Sequence, residues 1–459
     1  MLRLNAGESR PYCDGMSRRS FVQLGVAGMA SLGLPAVLQA RAESRQRSVP
    51  ENRSAILIWL DGGPSHLDLY DMKPEAPSEY RGIWRPIRTN VSGIEISELF
   101  PQQAKVADKF SIVRSLHHDT GDHFTAGHFM LTTKNMGVSG ANTAGKFPSI
   151  GSLIAHQRRD RPSALPPYIS VPVASSIGIR PGYFSGNLLG AHYNPFETGG
   201  DPNDANFRVQ NLDLMSGMTV ERLDDRRRLL ATLDQIPRSI DATRSFDTLN
   251  RFEQQALEFV SGDKARRAFD LSGEEPAWRD RYGRHSWGQS VLLARRLVEA
   301  GAAFVTVHFG GWDHHWDLKT GMENYLPMVD SAVASLLTDL DQRGLLESTL
   351  VILCGEFSRT PRMNDGGNGG PPLSKGTPGR DHWGNAMFCL LAGGGVRGGQ
   401  IIGATDRKGE GPVSRPVRPE HIHATIYRCL GIDPHLQIFD HAGRPTSVLD
   451  DPTPIEELL

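Results

Sequence analysis

The chain has little sulfur, no surplus of either charge, and no apolar run long enough to span a bilayer as a stable helix. Only four of its 459 residues are cysteine (Cys13, Cys354, Cys389 and Cys429), and no two form a Cys-x-x-Cys pair. One lies in the leader described below. The remaining odd number sits in stretches that read as strand or helix, a pattern that fits buried thiols better than a disulfide framework. Lys and Arg number 50 against 52 Asp and Glu, a net charge of −2, which argues against a nucleic-acid partner. A chain that is 39% hydrophobic and 22% charged, with mean hydropathy −0.35, is neither disordered nor a multi-spanning membrane protein. No internal repeat is visible. The length suits one large α/β domain with insertions, or two domains.

The first 42 residues read as an address. Ser17-Arg18-Arg19-Ser20-Phe21-Val22 has the form of a twin-arginine export signal. The apolar stretch from Val26 to Leu38 is short and interrupted by Gly28, Gly33 and Pro35, and Ala40-Arg41-Ala42 offers a small-x-small cleavage site. These features predict removal of residues 1–42 and a periplasmic or extracellular location, with no integral membrane span after cleavage. Residues 43–459 then form the domain.

The mature chain alternates strand and helix. Ala55–Leu60, Leu350–Cys354 and Met387–Leu391 are continuous apolar runs, as expected of strands buried on both faces of a sheet, and Ala303–Phe309 also reads as a strand. Ser290–Ala300, Pro327–Arg343 and His421–Leu430 carry helical stripes or stop at glycine. The middle, roughly residues 175–285, lacks strong strands and reads as a helical insertion or cap, with charged helical stretches at 220–233 and 250–261.

Three acidic residues stand just beyond strand ends: Asp61, Asp313 and Glu356. Open parallel sheets gather their sites at that edge. Carboxylates brought together there repel one another unless a cation joins them, so Asp61 and Glu356 are expected to face one site. The histidines point the same way. His123 belongs to a run of four within 12 residues, His315 follows Asp313 in "GGWDHHWD", and His382 follows Asp381 in "GRDHW". Imidazole with carboxylate is the ligand chemistry of zinc, manganese and iron. Asp313, His315 and His382 are the strongest candidates, while His308, inside a strand, reads as structural.

The strings "LIWLDGGPSHLDLYDMKP", "SLHHDTGDHFTAGHFMLTT", "GGWDHHWD", "VILCGEFSRTPRMN" and "GRDHWGNAMFCLLAGGGVRGGQIIGATD" resemble the family catalogued as domain of unknown function 1501, grouped with the alkaline phosphatase/sulfatase superfamily. The resemblance covers nearly the whole mature chain. It implies a three-layer α/β/α sandwich with a mostly parallel sheet and a site for one or two divalent metals, with zinc, manganese, calcium and magnesium all open. It implies metal roles for Asp61, Asp313, His315, Glu356 and His382. This chain departs from the superfamily pattern by placing Phe357 where a metal histidine is usual, and Asp381 or His123 is the candidate for the vacant position. No Cys-x-Pro-x-Arg sulfatase signature is present. Thr125 is the first choice of nucleophile, against the alternative that it caps a helix beginning at His123. Arg359 and Arg380 are candidate oxyanion binders, because guanidinium forks match tetrahedral anions. The expected activity is metal-dependent hydrolysis of phosphate or sulfate esters, with a small-molecule or polysaccharide ester as substrate. The competing expectation is a metal-binding or recognition protein that has lost turnover on the same scaffold.

Overall fold

The computed structural model describes residues 53–134, 147–161, 163–209, 262–367, 375–440 and 442–459, with Asp225 and Phe259 between them. The leader and the stretches at 220–233 and 250–261 lie, but for Asp225 and Phe259, outside the described residues.

Eight strands form one sheet: β1 (Ser54–Leu60), β2 (Phe110–Leu116), β3 (Tyr168–Val171), β4 (Phe196–Glu197), β5 (Phe304–Phe309), β6 (Thr349–Cys354), β7 (Met387–Ala392) and β8 (Ile401–Ile402). Their order across the sheet is β8-β2-β7-β6-β1-β5-β3-β4. β7 alone runs against its neighbours β2 and β6; the other pairings are parallel. The apolar runs read from the sequence are buried along their whole lengths in β1, β6 and β7, as strands covered on both faces must be.

Helices cover each face. Helices α1 (His123–Thr132), α2 (Ile150–Gln157) and α5 (Pro419–Leu430) pack with Leu57, Trp59 and Ile352 in one apolar layer, and α3 (Ser286–Glu299) and α4 (Leu318–Gln342) pack with Ile56, Ile58 and Leu353 in the other. The chain is therefore a mixed, mostly parallel three-layer α/β/α sandwich. Within 175–285 the described parts join this body: β4 extends the sheet edge, and Ala265, Phe269 and Tyr282 belong to the α3/α4 layer.

Helix α4 begins nine residues before Pro327, where the sequence suggested a start. Leu318, Met322, Leu326 and Val329 are all buried along one stripe that crosses the proline. Burial of that stripe outweighs the one hydrogen bond that proline removes.

Candidate metal centre

β1 lies between β5 and β6, so the three acidic residues that follow those strands emerge side by side. The backbone must turn sharply there. Trp312 N–H donates to the Asp61 carbonyl at 3.1 Å. Gly62 adopts φ +112°, and a Cβ on it would stand 2.7 Å from the Asp313 backbone nitrogen. Glycine is the one residue that permits both.

Asp313 is the hub. Its Oδ1 lies 3.1 Å from His315 Nε2 and 3.1 Å from His382 Nε2, and accepts from Arg359 Nη2 at 2.6 Å. Its Oδ2 lies 3.4 Å from His123 Nε2. The two imidazole nitrogens of His315 and His382 are themselves 2.9 Å apart. Each ring is pinned from behind. His382 Nδ1 meets the Gly121 carbonyl at 2.7 Å, His315 Nδ1 meets Asp381 Oδ1 at 2.7 Å, and His123 Nδ1 meets Glu356 Oε1 at 2.7 Å. Carbonyl and carboxylate oxygens only accept, so each Nδ1 carries a proton, and each ring in its neutral form presents a bare Nε2. Bare nitrogens aimed at a carboxylate repel unless a proton or a cation lies among them. Ligand atoms of His123, Asp313 and His382 all fall within 4.8 Å of one another, a spacing that one ion can bridge. These donors fit a divalent metal.

The electrostatics reflect that crowding. Burial works to raise Asp313, yet the three imidazoles and the Arg359 guanidinium hold it far below the usual carboxylate range. Burial opposes charge on His123, but Asp313 and Glu356 lift it to about 9. His315 is raised chiefly by Asp313, while burial lowers His382. Glu356 is wholly buried and pushed upward by that burial. Its Oε1 also accepts from Gly62 N–H at 2.9 Å, and its Oε2 has no partner.

The structure thus brings Asp313, His315, His382 and His123 together. It places Glu356 and Asp381 behind them, each orienting an imidazole. Asp61 stands beside this cluster with its oxygens engaged elsewhere: Oδ1 accepts from Ser176 Oγ at 2.7 Å and Trp59 Nε1 at 3.3 Å, and Oδ2 from Ile177 N–H at 2.7 Å with His308 Nε2 at 3.2 Å. Burial would raise Asp61, but His308, Ser176 and Ile177 lower it overall.

The residues expected to act on substrate are occupied by the protein. Thr125 Oγ1 donates to Asp122 Oδ1 at 2.7 Å and its N–H donates to the same oxygen at 2.9 Å. α1 begins at His123, as one reading of the sequence had it, but its N-cap is Asp122 and not Thr125. Arg359 is fully buried; besides Asp313 it donates to the Gly63 carbonyl at 2.8 Å and to the Gly62 carbonyl. Arg380 is also fully buried, donating to Asp68 Oδ2 at 3.0 Å and to the carbonyls of Thr360, Pro361 and Arg81. Both arginines tie loops together.

Sequence reasoning missed Ser176, Ile177 and Tyr183. Tyr183 is buried within the field of Glu356, Asp61 and Asp122, and burial raises its phenol well above the ordinary range while its Ser176 neighbour opposes the shift. No periodicity or motif marks these residues; they fall in the stretch read as a cap.

Fold and site together define an α/β protein with a His/Asp cluster at the carboxyl edge of its sheet whose donors could hold a metal ion. The chain belongs to the family described as protein of unknown function (DUF1501), whose model matches residues 52–459. No curated protein matches it. Similar solved structures include the PsFucS1 sulfatase from Pseudoalteromonas sp. (14% identity over 86% of this chain and 72% of that one, TM-score 0.37). They also include an alkaline phosphatase superfamily protein from Vibrio parahaemolyticus (9% identity, 84% and 67%, TM-score 0.35) and the phosphonate monoester hydrolase SpPMH from Silicibacter pomeroyi (10% identity, 82% and 72%, TM-score 0.29).

Proposed function

We propose that this protein is an exported, metal-dependent hydrolase of phosphate or sulfate esters. The observation that carries the reading is the set of three imidazoles, each with Nδ1 pinned, that converge on Asp313. Asp313, His315 and His382 hold the cation, with His123 closing the set. A divalent cation there supplies Lewis-acid polarisation of an ester oxygen and a bound water of lowered pKa. Asp381 and Glu356 keep His315 and His123 in the ligating tautomer. Arg359 keeps Asp313 ionised and aimed. Export rests on the Arg18-Arg19 leader; no helix among the described residues is long and apolar enough to cross a membrane.

The engagement of Thr125 with Asp122, and of Arg359 and Arg380 with loop carbonyls, supports a second reading. In it the centre binds metal for recognition without turnover. One experiment separates the two. Protein matured in its exporting host is analysed for metal and assayed on aryl phosphates and aryl sulfates with added zinc, manganese, calcium or magnesium. Bound metal with turnover, both lost in His382→Ala, is the expected result. Bound metal without turnover on any ester establishes the recognition reading, and absence of metal overturns both.

A further inference from the structure

Cys354 ends β6, and Cys389 lies in β7, its antiparallel neighbour. The register sets Leu353 opposite Leu390 and Ile352 opposite Leu391; Cys354 and Cys389 are the next residues on the two strands, and their thiols are hydrogen-bonding neighbours. Both side chains lie in the same apolar layer. Both are buried free thiols. The Cys354 thiol, as a hydrogen-bonding neighbour, and burial together push Cys389 well above the ordinary thiol range. Opposed residues of an antiparallel pair have Cα atoms about 4.5 or 5.5 Å apart, within the roughly 4.4–6.8 Å that a disulfide spans. The two cysteines also bracket residues 355–388, the segment that carries Glu356, Arg359, Asp381 and His382.

We propose that Cys354 and Cys389 are a redox pair that closes to a cross-strand disulfide, clipping together the two ends of the segment that bears half of the metal centre. The oxidant is a disulfide, of a protein dithiol oxidant or of a small molecule. One cysteine thiolate attacks it and expels a thiol, leaving a mixed disulfide. The second thiolate attacks the mixed disulfide at the cysteine sulfur and expels the other thiol. Two thiols of this chain lose two protons and two electrons, and the oxidant's disulfide becomes two thiols. The folded sheet seals both sulfurs, so exchange requires the layer of α1, α2 and α5 to be open over the strands, as in refolding, and the closed pair is afterwards shielded from reductants.

The test reads sulfur and stability, so it stands apart from the metal reading. The full chain is refolded in mixtures of glutathione and its disulfide, quenched in acid, denatured, alkylated and mapped by mass spectrometry. A linked Cys354–Cys389 peptide is expected, with Cys13 and Cys429 alkylated, and with all four alkylated after phosphine reduction. The Cys429→Ser variant keeps the link. Four alkylated thiols at every glutathione ratio, or links scattered among all four, overturn the pairing. Oxidised protein is expected to melt several degrees above reduced protein; equal midpoints overturn the clip.

Discussion

At the scale of single residues, the proposed metal centre gathers side chains on Asp313, and the affinity that reading requires depends on what holds each ring. Asp381 touches His315 on the side away from Asp313. Asp381→Asn therefore leaves the ligand in place but loosens its tautomer. The expected result is metal affinity lower by about 10–100-fold, measured by competition with a chromophoric chelator; an unchanged affinity removes Asp381 from the site. Gly62 tests the backbone rather than the chemistry. Its positive φ and the 2.7 Å approach to Asp313 N leave no room for a side chain, and the atom met is backbone that cannot swing aside. Gly62→Val is expected to cost on the order of 3 kcal/mol or more, read as lost folded yield and a lower denaturation midpoint. A well-folded variant with full metal content contradicts this account of the turn.

At the scale of elements, α4 is tied to its surroundings by two buried carboxylates with opposite consequences. Asp330 accepts from Gln102 N–H at 2.9 Å and Gln103 N–H at 2.7 Å. Burial nevertheless pushes it up to about 6, the two amides opposing. A carboxyl raised in the folded state favours the protonated protein. Its contribution is complete below the unfolded value near 3.9 and is lost as pH rises through about 6. Asp330→Asn keeps an acceptor for both amides and removes the titration. The stability of the native protein relative to this variant is expected to fall between pH 4 and pH 7 by on the order of 2–3 kcal/mol, followed by denaturant unfolding at each pH. A gap that does not change with pH excludes burial of the charge. Asp339 instead pairs with Arg295 Nε at 2.9 Å, while Arg295 also reaches Glu274 and Glu299 at 2.6 Å each. Arg295→Ala leaves Asp339 to Arg343 and Tyr282, and Glu274 to Arg296, so the expected loss of stability is about 3 kcal/mol, the low end for breaking a buried pair. Arg295 is too deeply buried for this to be a surface pair; a change under 1 kcal/mol places it there.

For the molecule as a whole, the export proposed above rests on the Arg18-Arg19 pair. Replacing Arg18 and Arg19 by lysine is expected to leave the protein inside the cell with its leader intact, as judged by fractionation and mass; normal export of that variant refutes the twin-arginine reading. The domain itself closes around a sheet whose central strands were legible in advance. β1, β6 and β7 are mostly apolar runs, the mark of a strand buried on both faces, and β5 is mainly apolar apart from Thr306 and His308. β3 and β4 were not legible. Four and two residues long, they take their place from pairing with β5 and with each other rather than from pattern.

Beyond the sandwich class, which the family resemblance implied, the sequence alone determined the alternation of strand and helix, the strand ends at which Asp61, Asp313 and Glu356 stand, and the residue types found there. Those are local matters, set by hydrophobic runs, glycine turns and motif spacing. The tertiary structure alone decided which of those residues share a point in space. Strand order set β1 between β5 and β6. The two-residue ribbon pairing His382 with Arg359 then swung both onto Asp313, and the start of α1 delivered His123 from nearly two hundred residues away in the chain. Asp61 has the same sequence credentials as Asp313, yet Ser176, Ile177 and His308 claim its oxygens. No spacing rule reveals that choice, because a carboxylate's partners come from neighbouring strands and loops whose side-by-side placement is a property of the packed sheet.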